Sequence, residues 1–142
     1  MPITYQTFEL DYLDALHELS LSNSDILKPN TKMLYYIIGK FFSDISFIAL
    51  DNDLMAGFIV AFEKNNTIWL HQLAVNKTHR NQGIATKLIK CLEKKVPGKT
   101  IEFSVKEANH RAIKLYESLG YKKLGYNEQI LQVIYRKSIE LF

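Results

Sequence analysis

A predicted strand, a polar loop and a predicted helix follow one another between residues 67 and 95, and this run limits the possible folds more than any other stretch. Thr67–Val75 has the apolar sequence TIWLHQLAV and is predicted as a strand. Residues 76–82 are polar and irregular. Ile84–Lys95 then shows helical periodicity, with apolar residues inside and lysines outside. We therefore expect sheet and helix in the same domain.

The rest of the chain divides into shorter predicted elements. Strands are predicted over Ile3–Glu9, Ser46–Leu50, Met55–Glu63, Thr100–Val105, Tyr121–Tyr126 and Gln129–Lys137. Further helices are predicted from a cap at Asp11 to Ser22, over Thr31–Phe42 and over Asn109–Leu119, with a loop at Asn23–Asn30. The order β-α-α-β-β-β-α-β-α-β-β predicts a mixed α/β (α+β) fold, a single domain over residues 1–142 with a largely antiparallel sheet and helices on its faces.

Local signals define several element ends. Asp51-Asn52-Asp53 and Lys64-Asn65-Asn66 predict turns between strands. Gly120 is predicted to end the last helix. Four leucines are predicted on the inner side of the first helix, namely Leu13, Leu16, Leu19 and Leu21.

Composition narrows the class of protein. Apolar residues make up 47% and charged residues 23% of the 142 residues, as in ordinary globular proteins. No apolar run reaches the roughly 18–20 residues that span a bilayer, and the N-terminus lacks the features of a signal peptide. The single cysteine, Cys91, excludes an internal disulfide. These features predict a cytoplasmic protein without a membrane partner.

Charge is divided unevenly along the chain. Residues 1–70 hold 4 Lys, 6 Asp and 3 Glu, a net charge of −5, whereas residues 71–142 hold 11 Lys, 3 Arg and 6 Glu, a net charge of +8. The basic half is either a solvated lysine face or a surface that meets a polyanion. The polyanion would be nucleic acid or a phosphate-bearing cofactor, and charge alone does not choose between them.

The loop before the third predicted helix, Ile84–Lys95, has the properties of a phosphate-binding site. Its backbone N–H groups and the helix N-terminus would point at one place. Gly83 has no Cβ to block an approaching phosphate, and Arg80 and Lys87 add positive charge at the rim. The loop lacks both the Lys-Ser/Thr of a Walker loop and the three glycines of a dinucleotide fingerprint.

Two motifs resemble those of the GNAT superfamily of N-acetyltransferases. Arg80-Asn81-Gln82-Gly83-Ile84-Ala85 is similar to its pyrophosphate loop, Arg/Gln-x-x-Gly-x-Gly/Ala, with Asn81 where the family often has glycine. Asparagine tolerates left-handed backbone angles better than most residues. The segment from Asn109 to Tyr121 resembles the second signature, Asn-x-x-Ala-x-x-Leu-Tyr-x-x-x-Gly-Phe/Tyr, one strand later. The resemblance covers roughly residues 67–126.

The resemblance implies a GNAT-like fold, acetyl-CoA as co-substrate without a metal, and direct attack of a primary amine on the thioester. A backbone N–H near Leu73 would stabilise the oxyanion, the groups near Val75 would pair with pantetheine, and Asn109 would hydrogen-bond the same arm. Tyr116 would protonate the departing thiolate, although most helix tyrosines are simply core residues. The implied cofactor-binding residues are Leu73, Ala74, Val75, Arg80, Asn81, Gln82, Gly83, Ile84, Ala85, Thr86, Asn109 and Tyr116.

His71 is the candidate general base, because the ordinary pKa of histidine, about 6.5, suits proton removal near neutral pH. Its strand resembles the arylalkylamine branch of the family, which has His-x-His there, but this chain has Trp69 at the first position. Glu63, Glu102 or water are alternative bases. The glutamate used by ribosomal-protein N-terminal acetyltransferases is replaced by Ser104. Of the other histidines, His17 is expected at the surface of its helix, and His79 and His110, in or beside the cofactor motifs, are expected to face solvent or phosphate.

Other functions stay open on the sequence alone. A non-catalytic acyl-CoA-binding module would keep Arg80–Ala85 and lose the proton-handling groups, and a nucleic-acid-binding domain would need exposed aromatics among its basic residues. Neither is favoured, and no nucleic-acid partner is expected. In this fold the acceptor pocket is built from Leu13–Phe42 and Tyr126–Tyr135. No motif in these two segments shows whether the acceptor is a small-molecule amine or a peptide amine. The sequence also leaves open whether the chain forms a homodimer through its last strands.

Overall fold

The computed structural model describes residues 2–23 and 31–141. Its elements follow the predicted order and form a mixed α/β fold with a seven-stranded sheet, which confirms the expected class. The strands are β1 Thr4–Thr7, β2 Phe47–Asp51, β3 Leu54–Lys64, β4 Thr67–Val75, β5 Thr100–Lys106, β6 Lys122–Asn127 and β7 Gln132–Ser138. The helices are α1 Leu13–Ser22, α2 Lys32–Phe41, α3 Ile84–Lys95 and α4 His110–Ser118.

The strands are hydrogen-bonded in the order β1-β2-β3-β4-β5-β7-β6. Strands β4 and β5 run parallel, with Thr67–Trp69 opposite Thr100–Glu102, because the chain crosses over through α3 between them. The pairs β1-β2, β2-β3, β5-β7 and β6-β7 are antiparallel, as expected of a largely antiparallel sheet. The turn before β4 has Asn65 and Asn66 at φ of 54° and 61°, the left-handed pair that a two-residue hairpin requires.

The chain divides into two compact units. The first comprises residues 1–62 and 70–95, and its core combines side chains of α1, α2 and the first strands. Phe8, Leu16, Tyr35 and Phe58 are completely buried in it. Burying large apolar side chains such as these contributes about 1.5–3 kcal/mol each.

The second unit comprises residues 63–69 and 96–142. Its core is a cluster of aromatic rings in which Phe103 of β5 lies 4.0 Å from Tyr116 of α4 and 5.4 Å from Tyr121, measured between ring centroids. Tyr135 of β7 stacks on Phe103 at 5.8 Å. These contacts hold α4 against β5 and β7.

Several predicted details of the N-terminal region are wrong. The first helix is not capped by Asp11, because a 3₁₀ turn occupies Leu10–Tyr12 and α1 begins after it, at Leu13. Leu21 is 49% exposed, since the apolar side of α1 buries Leu16 and Leu19 instead. Most of the predicted loop Asn23–Asn30 lies outside the described residues, and Asn23 itself is buried.

Candidate active site

Strand β4 alternates strictly between its two faces. Ile68, Leu70, Gln72 and Ala74 are buried, and the five odd-numbered residues are half-buried, as the period of two predicts. These half-buried residues are Thr67, Trp69, His71, Leu73 and Val75. The structure therefore brings His71 and Leu73, the predicted base and the predicted oxyanion position, onto one face of one strand.

The chain leaves β4 through a loop that is fixed at its first residue. The backbone N–H of Asn76 donates to the Ala56 carbonyl at 2.7 Å, and its side-chain nitrogen donates to the Met55 carbonyl at 3.3 Å. Its side-chain oxygen accepts from the backbone N–H and the hydroxyl of Thr78 at 3.1 and 3.0 Å. Asn76 thus ties the start of the loop to β3.

The loop reaches α3 through two residues with left-handed backbone angles, Asn81 at a φ of 63° and Gly83 at 79°. The Gly83 carbonyl accepts from the backbone N–H of Lys87 at 3.1 Å, so the N–H groups of Ile84, Ala85 and Thr86 have no acceptor within the helix. A Cβ added at Gly83 would meet nothing within 4 Å. The N-terminus of α3 is therefore open and carries the donors and partial positive charge that suit an anion.

Gly57 on β3 sets the distance between the sheet and the start of α3. A Cβ there would lie 2.8 Å from the Ala74 carbonyl oxygen and 3.3 Å from side-chain atoms of Ile84 and Leu88. Sequence reasoning missed this residue. The signal was a glycine inside an apolar strand, which often marks close approach of another element.

Arg80 is held by a residue that sequence reasoning also missed. Its Nη2 donates to Oδ1 of Asn23 at 2.9 Å, and Nδ2 of Asn23 lies 3.5 Å from the Val75 carbonyl oxygen. Asn23 is only 1% exposed and lies at the C-terminal end of α1. Because a neutral amide accepts from Arg80, this contact leaves the positive charge of the guanidinium intact.

The expectation that His79 faces solvent or phosphate is wrong. Its side chain is buried, with Nε2 2.9 Å from Oδ2 of Asp51 and Nδ1 2.8 Å from the Thr78 hydroxyl. His79 therefore joins the loop to the end of β2. His17, expected at the surface, is half-buried with its ring 6.1 Å from that of Tyr35, whereas His110 is exposed as expected.

His71 lies beside an aromatic ring. Its ring centroid lies 6.1 Å from that of Phe62, which in turn lies 6.3 Å from that of Phe42. Burial lowers the pKa of His71 below its ordinary value, because the protonated ring loses hydration there. The neutral imidazole, which is the form able to accept a proton, is therefore favoured at neutral pH.

The two alternative bases are engaged in ion pairs within the second unit. Glu63 Oε2 lies 2.7 Å from Nζ of Lys99, and Glu102 Oε2 lies 3.4 Å from Nη2 of Arg136. Glu102 is buried and Arg136 is about half exposed. Ser104 on the same strand is exposed and donates to the Gln132 side chain at 2.6 Å.

The second motif forms the start and middle of α4. Asn109 caps the helix, since its side-chain oxygen accepts from the backbone N–H of Ala112 at 3.2 Å. Tyr116 is buried among aromatic rings, and burial raises the pKa of its hydroxyl far above the ordinary value of about 10. Its hydroxyl therefore stays protonated throughout the physiological range.

A comparison with known protein families identifies the family to which this chain belongs. The family model described as "Acetyltransferase (GNAT) family" matches residues 12–121. The chain belongs to the GNAT acetyltransferase family. The resemblance seen in the two motifs is thereby confirmed and extends over the first two helices.

The relatives of this GNAT chain are named for two kinds of acetylation. The L-2,4-diaminobutyric acid acetyltransferase of Marinococcus halophilus is 28% identical over 116 residues, which are 78% of this chain and 67% of that protein. N-alpha-acetyltransferase 30 of Schizosaccharomyces pombe is 29% identical over 133 residues, which are 86% of this chain and 87% of that protein.

Solved structures share the GNAT fold at lower identity. Diaminobutyrate acetyltransferase EctA from Paenibacillus lautus, in complex with L-2,4-diaminobutyric acid and coenzyme A, matches with a TM-score of 0.84 and 24% identity, covering 99% of this chain and 96% of that chain. Arabidopsis thaliana Naa50, in complex with a bisubstrate analogue, matches with a TM-score of 0.80 and 20% identity, covering 97% and 99%. At these identities the likeness shows the fold alone.

Membership makes this GNAT chain an acyltransferase with acetyl-CoA as co-substrate. Among residues 2–23 and 31–141, no group of three or more His, Cys, Asp or Glu side chains is arranged to hold a metal ion. Within the same residues, none of the helices has the length and apolar character to cross a bilayer.

Proposed function

We propose that residues 1–142 act as one cytoplasmic N-acetyltransferase domain that moves an acetyl group from acetyl-CoA to a primary amine by direct attack in a ternary complex. The observation that carries the proposal is the open N-terminus of α3, where Gly83 has free space beside it and the first N–H groups of the helix lack intrahelical acceptors. A diphosphate is the part of acetyl-CoA whose chemistry fits such a site.

The loop is proposed to bind the diphosphate through its backbone. Asn81, Gln82, Gly83, Ile84, Ala85 and Thr86 supply the donors, and Arg80 supplies a full positive charge. The left-handed angles at Asn81 and Gly83 support this assignment, because successive N–H groups converge on one point only when the backbone departs from extended geometry.

The end of β4 is proposed to hold the reacting end of the co-substrate. A backbone N–H near Leu73 would donate to the thioester oxygen as it gains charge, and the backbone at Ala74 and Val75 would pair with the pantetheine arm. Asn109 would donate to that arm through its side-chain nitrogen, because its oxygen already caps α4. The main catalytic contribution would be alignment of the thioester with the amine.

His71 is proposed to take the proton from the acceptor ammonium before attack. Its lowered pKa supports this role, since the imidazole is neutral and able to accept a proton at physiological pH. Glu63 and Glu102 are weaker candidates because their carboxylates already form ion pairs with Lys99 and Arg136. Water is the remaining alternative base.

Tyr116 is proposed to donate a proton to the thiolate as the carbon–sulfur bond breaks. His71 takes one proton from the ammonium before attack, and the nitrogen loses a second proton to water as the tetrahedral intermediate collapses to the amide. The carbon–sulfur bond breaks in the same collapse, and the thiolate takes a proton from Tyr116 and leaves as coenzyme A thiol. Solvent then returns a proton to Tyr116 and removes the proton from His71. Burial keeps the Tyr116 hydroxyl protonated before the reaction, as a proton donor must be, although the same rise in pKa makes it a weaker acid.

The proposed acceptor is either an amino-acid-like small molecule or a peptide N-terminus. Relatives named for L-2,4-diaminobutyric acid and for N-alpha-acetylation support both classes, and both present a primary amine. A homodimer through β6 and β7 stays part of the proposal. A screen of L-2,4-diaminobutyric acid, other diamines and short peptides with acetyl-CoA, followed by mass spectrometry, should yield a product heavier by one acetyl group; thiol release without any acetylated amine would contradict the proposal.

Gly83→Asp tests the loop separately from the acceptor. An aspartate there places bulk and negative charge where the diphosphate would sit, so we expect no measurable binding of acetyl-CoA by calorimetry. Gly125→Asp on β6 is the control for added bulk and charge, because a Cβ there also meets nothing within 4 Å, although Gly125 lacks the left-handed φ of Gly83. Unchanged affinity in Gly83→Asp would refute the loop assignment.

A further inference from the structure

The loop between β4 and α3 is anchored by a buried asparagine outside either motif. Asn23 ends α1 and is 1% exposed, and its Oδ1 accepts from Arg80 Nη2 at 2.9 Å. Its Nδ2 lies 3.5 Å from the Val75 carbonyl oxygen, so a single side chain contacts both ends of the segment 75–80. A hydrogen bond to a charged donor is stronger than one between neutral groups, which makes this contact effective in fixing the arginine.

A second anchor joins the same loop to β2. Asp51 is the last residue of β2, and its Oδ2 lies 2.9 Å from Nε2 of the buried His79. The other ring nitrogen of His79 lies 2.8 Å from the Thr78 hydroxyl, which also contacts Asn76. The residue immediately before Arg80 is therefore held through both of its ring nitrogens.

Both anchors restrain the backbone of residues 79 and 80 through side-chain contacts. Fixing one residue costs roughly 1–2 kcal/mol in conformational entropy. A loop that is ordered before its ligand arrives does not lose this entropy on binding, so its affinity is higher. Asn23 orders Arg80 with a neutral oxygen, and the guanidinium charge stays available to an anion.

We propose that Asn23 and Asp51 are positioning residues for acetyl-CoA: Asn23 orients Arg80, and Asp51 orients the loop through His79. This inference rests on the proposed role of the loop in diphosphate binding. Neither residue is assigned contact with the co-substrate. Each acts through one named partner, and removing that partner must remove its effect.

A double-mutant cycle tests Asn23. Asn23→Ala should raise the dissociation constant of acetyl-CoA about tenfold, with kcat at saturating acetyl-CoA changing less than about threefold. In an Arg80→Met background the same substitution should change the dissociation constant less than about twofold, because the group it orients is gone. An equal loss in both backgrounds, or no loss in either, would overturn the role of Asn23.

A second cycle tests Asp51. Asp51→Ala should weaken acetyl-CoA binding about tenfold, while Asp51→Asn, which keeps an oxygen able to accept from His79, should recover at least half of that loss on a logarithmic scale. In a His79→Gln background, Asp51→Ala should have little further effect. An Asp51→Asn variant as weak as Asp51→Ala, or an effect that persists without His79, would overturn the role of Asp51.

Ser46→Ala separates positioning from general destabilisation. The Ser46 hydroxyl is buried in the same unit and contacts the Ala61 carbonyl at 3.3 Å and the Ala61 N–H at 3.1 Å. Its removal should lower Tm without changing acetyl-CoA affinity, and an equal loss of affinity would overturn the inference. If Gly83→Asp abolishes binding while the Asn23 and Asp51 variants bind normally, the positioning role fails alone; if Gly83→Asp binds normally, the proposed function fails first.

Discussion

Single residues of the loop were predictable where a local backbone requirement selects the residue type. Asn81 and Gly83 have left-handed angles, and asparagine and glycine are the residues that adopt them most readily. Asn23 and His79 were not predictable in the same way. Their partners lie 57 and 28 residues away in the chain, and no pattern of neighbouring residues encodes a contact over that distance.

The proposed role of His71 as general base predicts the acidic limb of the pH–rate profile. Because burial lowers its pKa, we expect the limb of kcat/KM to have its midpoint below the ordinary value of about 6.5, with activity lost as pH falls through that midpoint. His71→Ala should flatten or shift the limb, as measured by initial rates across pH 5–8. A limb identical to that of the wild type would point instead to Glu63, Glu102 or water.

The same shift affects stability in a defined direction. At a pH between the lowered pKa of His71 in the folded protein and its ordinary value of about 6.5, the unfolded chain binds more protons than the folded one. The free energy of unfolding therefore falls as pH falls below about 6.5, and above that pH this residue causes no such loss. Denaturant unfolding of wild type and His71→Ala at each pH serves as the control that separates a pH effect on folding from one on catalysis.

Tyr116→Phe separates the hydroxyl from the ring. The ring contacts with Phe103 and Tyr121 survive the substitution, so Tm and acetyl-CoA affinity should stay close to those of the wild type. We expect kcat to fall about 100-fold, the order of magnitude of a lost general acid. Wild-type turnover in steady-state assays would remove Tyr116 from the mechanism.

At the scale of elements, predicted bounds were right where two signals coincide. Strand β4 and helix α3 have their predicted bounds because polar residues flank both ends of the strand and Gly83 and Pro97-Gly98 bracket the helix. Strand β7 begins at Gln132 rather than Gln129, since the left-handed φ of 54° at Leu131 ends the turn later than composition indicates. Leucine gives no sequence signal for such an angle.

Gly57→Ala tests how closely α3 must approach the sheet. The new Cβ would lie 2.8 Å from the Ala74 carbonyl oxygen, so the backbone of β3 or the start of α3 must shift. We expect a loss of about 1–3 kcal/mol in the free energy of unfolding and weaker acetyl-CoA binding, measured by urea denaturation and calorimetry. Gly125→Ala, where the added carbon meets nothing within 4 Å, is the control; full stability in Gly57→Ala would contradict the packing argument.

At the scale of the molecule, the order of elements was predictable and the order of strands was not. The linear pattern identified eleven helices and strands, but the neighbours of each strand depend on crossovers that periodicity does not record. The parallel pairing of β4 with β5 and the placement of β7 between β5 and β6 are examples. The two family motifs indicated a known fold but gave no strand order by themselves.

The short segment 63–69 has a consequence for any attempt to divide the protein. It belongs to the second unit, although the chain on both sides of it belongs to the first. No single proteolytic cut can therefore release either unit whole, and a fragment that stops at residue 95 leaves Thr67–Trp69 without its β5 partners. A chimaera of two relatives joined between residues 69 and 100 would take β4 from one parent and β5 from the other. The pairing would then persist only if the two parental strands are compatible.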